Sequence, residues 1–216
     1  MLYYAIRSLI FDSIFLFILS VDFTLIIVTH LPYLEINRKD IIFDPKVQTY
    51  CVSSNFQCPS YGHSWTCPPV APYLEGGVSH YQKFFLIYIQ FDLKSYIEGK
   101  KKNYPRRSEE SIRNTFFMKN LLRDKLEKEI FQFLNEHQDL LGEKLILWDG
   151  FCRICFNKKD KGCNYDSGIP CRYPNKKRYS MEAVGIDVTI TVKNLNLAIE
   201  WPPINHIYRF SLVCFK

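Results

Sequence analysis

Apolar positions in this chain fall into runs whose period separates sheet from helix. "FFLIYIQF", Phe84 to Phe91, is short and rich in β-branched and aromatic residues, so it predicts a buried strand. "KLILWD" (Lys144 to Asp149) and "IYRFSLVCF" (Ile207 to Phe215) read the same way, and "AVGIDVTITV" predicts a further strand over Ile186 to Val192. Between the first two runs the period changes. Ile112, Phe116, Leu122, Leu126, Ile130 and Phe133 recur at helical spacing and predict one long helix with a single core face. Ser108 precedes two acidic residues and suits its N-cap, and Gly142 is its expected stop. The pattern predicts an α/β (or α+β) fold: a single domain with a mixed sheet covered by a long helix.

A run of another kind opens the chain. "LIFDSIFLFILSVDFTLIIVT", Leu9 to Thr29, is long enough to cross a bilayer. Asp12 and Asp22 oppose insertion at about 2.5 to 3.5 kcal/mol each near a helix centre, and fifteen Leu, Ile, Phe and Val residues favour it. A membrane anchor, a signal sequence, an apolar element packed on the domain and a mis-set start codon all fit this stretch. If it spans, Arg38, Lys39 and Lys46 behind it outnumber Arg7 ahead of it and place the rest in the cytoplasm. Residues 1–31 therefore read as an extension, with contact to a membrane through residues 9–29, and residues 32–216 as the domain.

Charge changes this picture little. The net charge of +6 is concentrated in "KKNYPRR" (Lys101 to Arg107) and "NKKR" (Asn175 to Arg178), which read as solvated loops or as a docking surface for an acidic partner. No nucleic-acid motif accompanies them, and no nucleic-acid partner is expected. Phosphate-binding loops of the G-x-x-x-x-G-K and G-x-G-x-x-G types are absent, as is the radical-forming C-x3-C-x2-C.

Cysteine changes it a great deal. Seven of the eight cysteines stand in two clusters. The chain has enough apolar residues to build its own core, so the clusters read as reduced ligands rather than disulfides. Cys152, Cys155, Cys163 and Cys171 form C-x2-C-x7-C-x7-C, with Gly150, Gly162 and Gly168 giving the loop freedom to wrap a centre. One pair followed by two single cysteines, with Pro174 after the last, is closer to the ligation of a [4Fe–4S] cluster than to the paired C-x2-C units of structural zinc. Zinc and redox-active thiols are the alternatives. Cys51, Cys58 and Cys67 form C-x6-C-x8-C and supply only three thiolates. Either the fourth position stays open, or a further ligand closes it, of which His63 is the nearest candidate. Cys214 lies in a predicted strand and reads as a small buried hydrophobe.

The blocks "CPSYGHSWTCPPVAP" and "GFCRICFNKKDKGCNYDSGIPCRYPNKKRYSMEAVGIDV" together resemble the predicted metal-binding proteins grouped as domain of unknown function 2284, found in archaea and anaerobic bacteria. The resemblance runs from about Tyr33 to the end of the chain. It implies metal or iron–sulfur binding and no particular reaction. Within the second block, Ser180 and Glu182 suit a capped short helix ended by Gly185, or else Arg172 and Glu182 lie beside the metal centre. Two functional readings follow. In one, the protein is a cytoplasmic electron-transfer or accessory module with a redox protein as partner. In the other, it is an iron–sulfur or zinc enzyme that uses an open position at the three-cysteine loop.

Overall fold

The computed structural model describes residues 33–53, 56–117, 120–140, 142–156 and 162–216, which belong to one compact unit beginning at Pro32. The apolar stretch over residues 9–29, and the division of the chain at residue 31, lie outside the described residues. Among the described residues, no helix is long and apolar enough to cross a membrane.

The apolar run in "KFFLIYIQFD" produces the central strand. Strand β1 is Tyr33–Ile36, β2 is Val52–Ser53, β3 is Phe56–Gln57, β4 is Lys83–Asp92, β5 is Lys144–Leu147 and β6 is His206–Phe215. The main sheet has the order β1-β4-β6-β5, and every pairing is antiparallel. Strands β4 and β6 pair along their full lengths, from Lys83 opposite Phe215 to Asp92 opposite His206. β2 and β3 form a separate small hairpin.

Both faces of the sheet are buried. Phe85, Ile87 and Ile89 of β4, with Ile207, Val213 and Phe215 of β6, point to one side. There they meet the helices α3 (Glu109–Phe117) and α4 (Leu121–Glu136). The six helical positions read from the sequence all lie in that core, none more than 4 % exposed. Their helix is nevertheless two helices. Asn120 precedes α4, and its carbonyl accepts from Asp124 N at 2.9 Å. Asn competes with helix through its own side chain, which suits it to a boundary. Ser108 Oγ accepts from Ser111 N at 3.1 Å, as an N-cap does. The second helix ends at Glu136, well before Gly142, with His137 N bonded to Phe133 O.

The other face packs Phe84, Leu86, Leu212 and Cys214 against Met181, Val184, Ile186 and Val192. Here the expected strand over Ile186 to Val192 is corrected, because Val188–Asn194 is the short helix α5. (The remaining helices are α1, Glu75–Val78, and α2, Leu93–Asn103.) Asp187 caps α5 by accepting from Ile190 N at 2.9 Å, and Thr191 N bonds to Asp187 O. Thr191 and Val192 are fully buried, one helical turn from Val188 and Leu195. Capping and burial on one stripe outweigh the β preference of "VTITV". Ahead of α5, a single 3-10 turn, Glu182–Val184, is capped by Ser180 Oγ and ends at Gly185 with φ +94°.

Candidate metal centre

The two cysteine loops are held by different devices. Cys51 and Cys58 flank the β2–β3 hairpin, in which Val52 faces Gln57, so the C-x6-C spacing returns the second cysteine to the first. Cys58 N donates to Cys51 O at 2.8 Å. A tight turn follows, with Gly62 at φ +69° and Gly62 N donating to Pro68 O at 2.9 Å, which brings Cys67 back toward the pair. Gln48 fastens this region to the Glu182 turn by donating to both Ala71 O (3.1 Å) and Ala183 O (2.8 Å).

The four-cysteine loop leaves β5 across the surface of α4. Arg123 of that helix donates to Asp149 O at 3.2 and 2.7 Å and to Phe151 O at 2.8 Å, and it lies over the Phe151 ring. A Cβ on Gly150, whose φ is +67°, would stand 2.8 Å from Arg123 Nη2, so only glycine admits this clamp. Arg153, between the two cysteines of C-x2-C, turns the opposite way. It is 7 % exposed and donates to Asp124 Oδ1 (2.6 Å) and Glu127 Oε2 (2.8 Å) of α4. Glu127 also accepts from Arg178 at 2.6 Å, and Arg178 stacks on Trp148. Sequence reasoning missed these arginines. The only signal was the acidic residues Asp124 and Glu127 three apart, on the helix flank beside the apolar stripe.

The loops meet. Cys152, Cys155, Cys163 and Cys171 line one small cavity, and Ser64, Trp65 and Thr66 of the other loop line it too. Trp65 Nε1 donates to Ile169 O at 3.0 Å and its ring packs edge-on against Tyr165. His63, the nearest candidate for a further ligand to the three thiols, is exposed and has its Nδ1 2.9 Å from Asp166 Oδ1. Residues 157–161 of the four-cysteine loop lie outside the described residues.

All eight cysteines are free thiols. Burial, followed by the charges of Cys58 and Cys67, pushes the Cys51 thiol up to about 11, with a smaller contribution from Glu182. Cys67 is raised mainly by burial and partly by Cys58 and Cys152, against hydrogen bonds from Ser64 and Thr66 that lower it. Cys152 thus links the two groups. Cys155 is also raised by burial first, with Arg172 donating a hydrogen bond to it in compensation. Arg172 further donates to Gly162 O at 2.9 Å. Thiols that raise one another in this way are short of positive charge, which is what a bound metal supplies. Cys214 is different. It is fully buried in β6, pushed up to about 12 by burial, and packs in the apolar core.

Glu182 closes the region on the side of Cys51. Burial raises its carboxyl, and Asp149 adds to the effect while Arg209 opposes it. The protein surrounds this side chain, yet it opens into a cleft and stays accessible there. Of the two residues of the sharper sequence reading, Arg172 acts on Cys155 of the four-cysteine loop, while Glu182 does not line the cavity of those four thiols and acts weakly on Cys51.

The donor chemistry fits a thiophilic metal: four thiols face one cavity, and among the described residues no imidazole or carboxylate shares its lining. The cavity is small, about 20 Å³, and among the described residues no three His, Cys, Asp or Glu side chains are drawn into metal-holding geometry.

Residues 34–215 match the family described as predicted metal-binding protein (DUF2284). The chain belongs to that family, as the two cysteine blocks implied, and is a predicted metal-binding protein. No curated protein and no solved structure matches it.

Proposed function

We propose that Cys152, Cys155, Cys163 and Cys171 hold a [4Fe–4S] cluster and that the protein is an electron-transfer or accessory module serving a redox partner in a reducing compartment. The observation that carries this reading is the meeting of four thiols, from separate turns of one loop, around one cavity. Such a cluster supplies one-electron transfer when bound. The chain's own residues tune and shield that position. Arg172 donates to the Cys155 sulfur, an interaction that favours the more negative, reduced state. Ser64 to Thr66 cover the cavity from the other loop and limit water, and Lys176 and Lys177 add positive charge to its lining, which suits an acidic partner.

Zinc is the second reading for the same thiols, favoured by a lining that offers four cysteines, the number a closed tetrahedral site takes. Anaerobic purification followed by iron, acid-labile sulfide and zinc analysis separates the two. Iron and sulfide lost in Cys155→Ala support the cluster, and stoichiometric zinc without sulfide refutes it.

The enzyme reading places a metal with an open position on Cys51, Cys58 and Cys67. It is favoured by the count of three thiols, which leaves one position of a four-coordinate centre unfilled. An exogenous ligand such as cyanide or imidazole should then change the spectrum of that centre in the wild type and in His63→Ala alike, since His63 is engaged by Asp166. Silence in both proteins removes this reading.

A further inference from the structure

A cleft of about 390 Å³ lies where the start of β6, the N-terminal turn of α5 and the loop between them converge. Its architecture is built rather than incidental. Glu200 accepts from Ile204 N (2.8 Å), Asn205 N (2.6 Å), Asn205 Nδ2 (2.8 Å) and His206 N (3.5 Å), so one carboxylate fixes the loop that forms the outer wall. That loop presents Trp201, 88 % exposed, over the opening. The inner wall is aromatic, with Tyr208 and Phe210 of β6 stacked at 5.9 Å and 4°.

The polar groups gather at one end. Arg209 holds Asp149 Oδ1 with Nη1 at 3.3 Å, and its buried Nε has no partner among the described residues. Glu182 lines the same end and is accessible from the cleft. A guanidinium donor and a carboxylate acceptor therefore line the same cleft, whose remaining lining is largely apolar and aromatic. A ligand that satisfies this arrangement carries an anionic and a cationic group close together, with an apolar side group. A purely anionic ligand would face Glu182 and Asp149, and a purely cationic one would leave Arg209 unused.

We propose that the cleft binds a free α-amino acid with an apolar side chain: its carboxylate on Arg209, its ammonium on Glu182, and its side chain between Trp201 and Phe210. The volume accommodates phenylalanine or leucine. None of the contacting groups is a cysteine, so the proposal does not rest on the metal reading, and its test can be run whatever the thiols hold.

The test is calorimetric titration of the intact protein with L-phenylalanine and L-leucine. Two controls accompany them, 2-phenylethylamine, which lacks the carboxylate, and 3-phenylpropanoate, which lacks the amine. At least one amino acid should bind, more tightly than either control. Arg209→Gln should weaken it about tenfold or more, as loss of a charge-assisted contact does, while barely affecting 2-phenylethylamine. Glu182→Gln should weaken it similarly while sparing 3-phenylpropanoate. Circular dichroism of each variant establishes that it folds, and the two controls on wild type test the same contacts without any mutation. No heat from either amino acid at about 10 mM, a weak limit for ligands of this size, overturns the proposal. So does a control that binds wild type as tightly as the amino acid does.

Discussion

Replacing Arg153 by methionine tests whether the metal loop is held by helix α4. Methionine keeps an unbranched stem and removes the guanidinium. Two contacts are lost. The Asp124 carboxylate is 58 % exposed, so its ion pair is screened and contributes no more than about 0.5 to 1 kcal/mol despite its 2.6 Å length. Glu127 is 21 % exposed and Arg153 itself 8 %, so their contact falls in the range of buried charge-assisted bonds, about 1.5 to 3 kcal/mol. Glu127 keeps Arg178 at 2.6 Å and is not left as an isolated buried charge, which excludes the upper part of that range. The sum is about 2 to 3 kcal/mol. Glu127→Gln should cost more, about 3 to 5 kcal/mol, because it leaves both Arg153 and Arg178 without that carboxylate. Asp124→Asn should cost less than about 1 kcal/mol. Urea denaturation followed by circular dichroism gives all three values, and metal analysis of Arg153→Met should show reduced loading because Cys152 and Cys155 lose their anchor. A change below about 0.5 kcal/mol in Arg153→Met, or a larger loss in Asp124→Asn than in Glu127→Gln, would refute the reasoning.

Three further outcomes follow from the same geometry. Gly185→Ala should destabilise by more than about 1 to 2 kcal/mol, since φ is +94° and the new Cβ would run into the Tyr73 ring; adding Tyr73→Ala should recover only the steric part in thermal melts. Hydrogen bonds from Asn205 and its neighbours hold Glu200 down at about 2, so its contribution is present above the ordinary carboxylate range and lost as pH falls toward 2. Amide signals of Ile204 and Asn205 should broaden in that window in the wild type, while Glu200→Gln should show the loosened loop already at neutral pH. His63→Ala should change stability by less than about 1 kcal/mol in urea melts, because both partners of the His63–Asp166 contact are more than half exposed.

Much of this is legible along the chain, and what is not has a physical reason. β4 and β6 announce themselves because continuous apolar runs suit strands buried on both faces, and the six helical core positions stand out although they span two helices. The break at Asn120 is hidden because the apolar stripe continues across it. α5 reads as a strand because Val188, Thr189, Ile190, Thr191 and Val192 are all β-branched. Its helical signal lies in the spacing of Val188, Thr191, Val192 and Leu195 and in the cap Asp187. The cysteine groups are visible as spacing, and the hairpin explains why C-x6-C closes on itself. Arg123, Arg153 and the Glu200 loop are not visible, since their partners are set by tertiary folding. Arg153, a charged residue inside the C-x2-C, is only 7 % exposed.

The contacts of Trp65 with Ile169 and Tyr165, and of His63 with Asp166, have a consequence for how the protein fills. They are the hinge pins between two loops that each supply thiols, so ordering either loop pre-arranges the other. If each set of thiols takes up a metal, an ion captured by one meets part of the entropic cost of arranging both, and the second capture is easier than the first. In a titration under limiting metal, empty and filled molecules should then coexist, with few half-filled ones. Trp65→Ala, which cuts two of these three contacts, should turn that all-or-none distribution into independent filling of two sites, visible by native mass spectrometry.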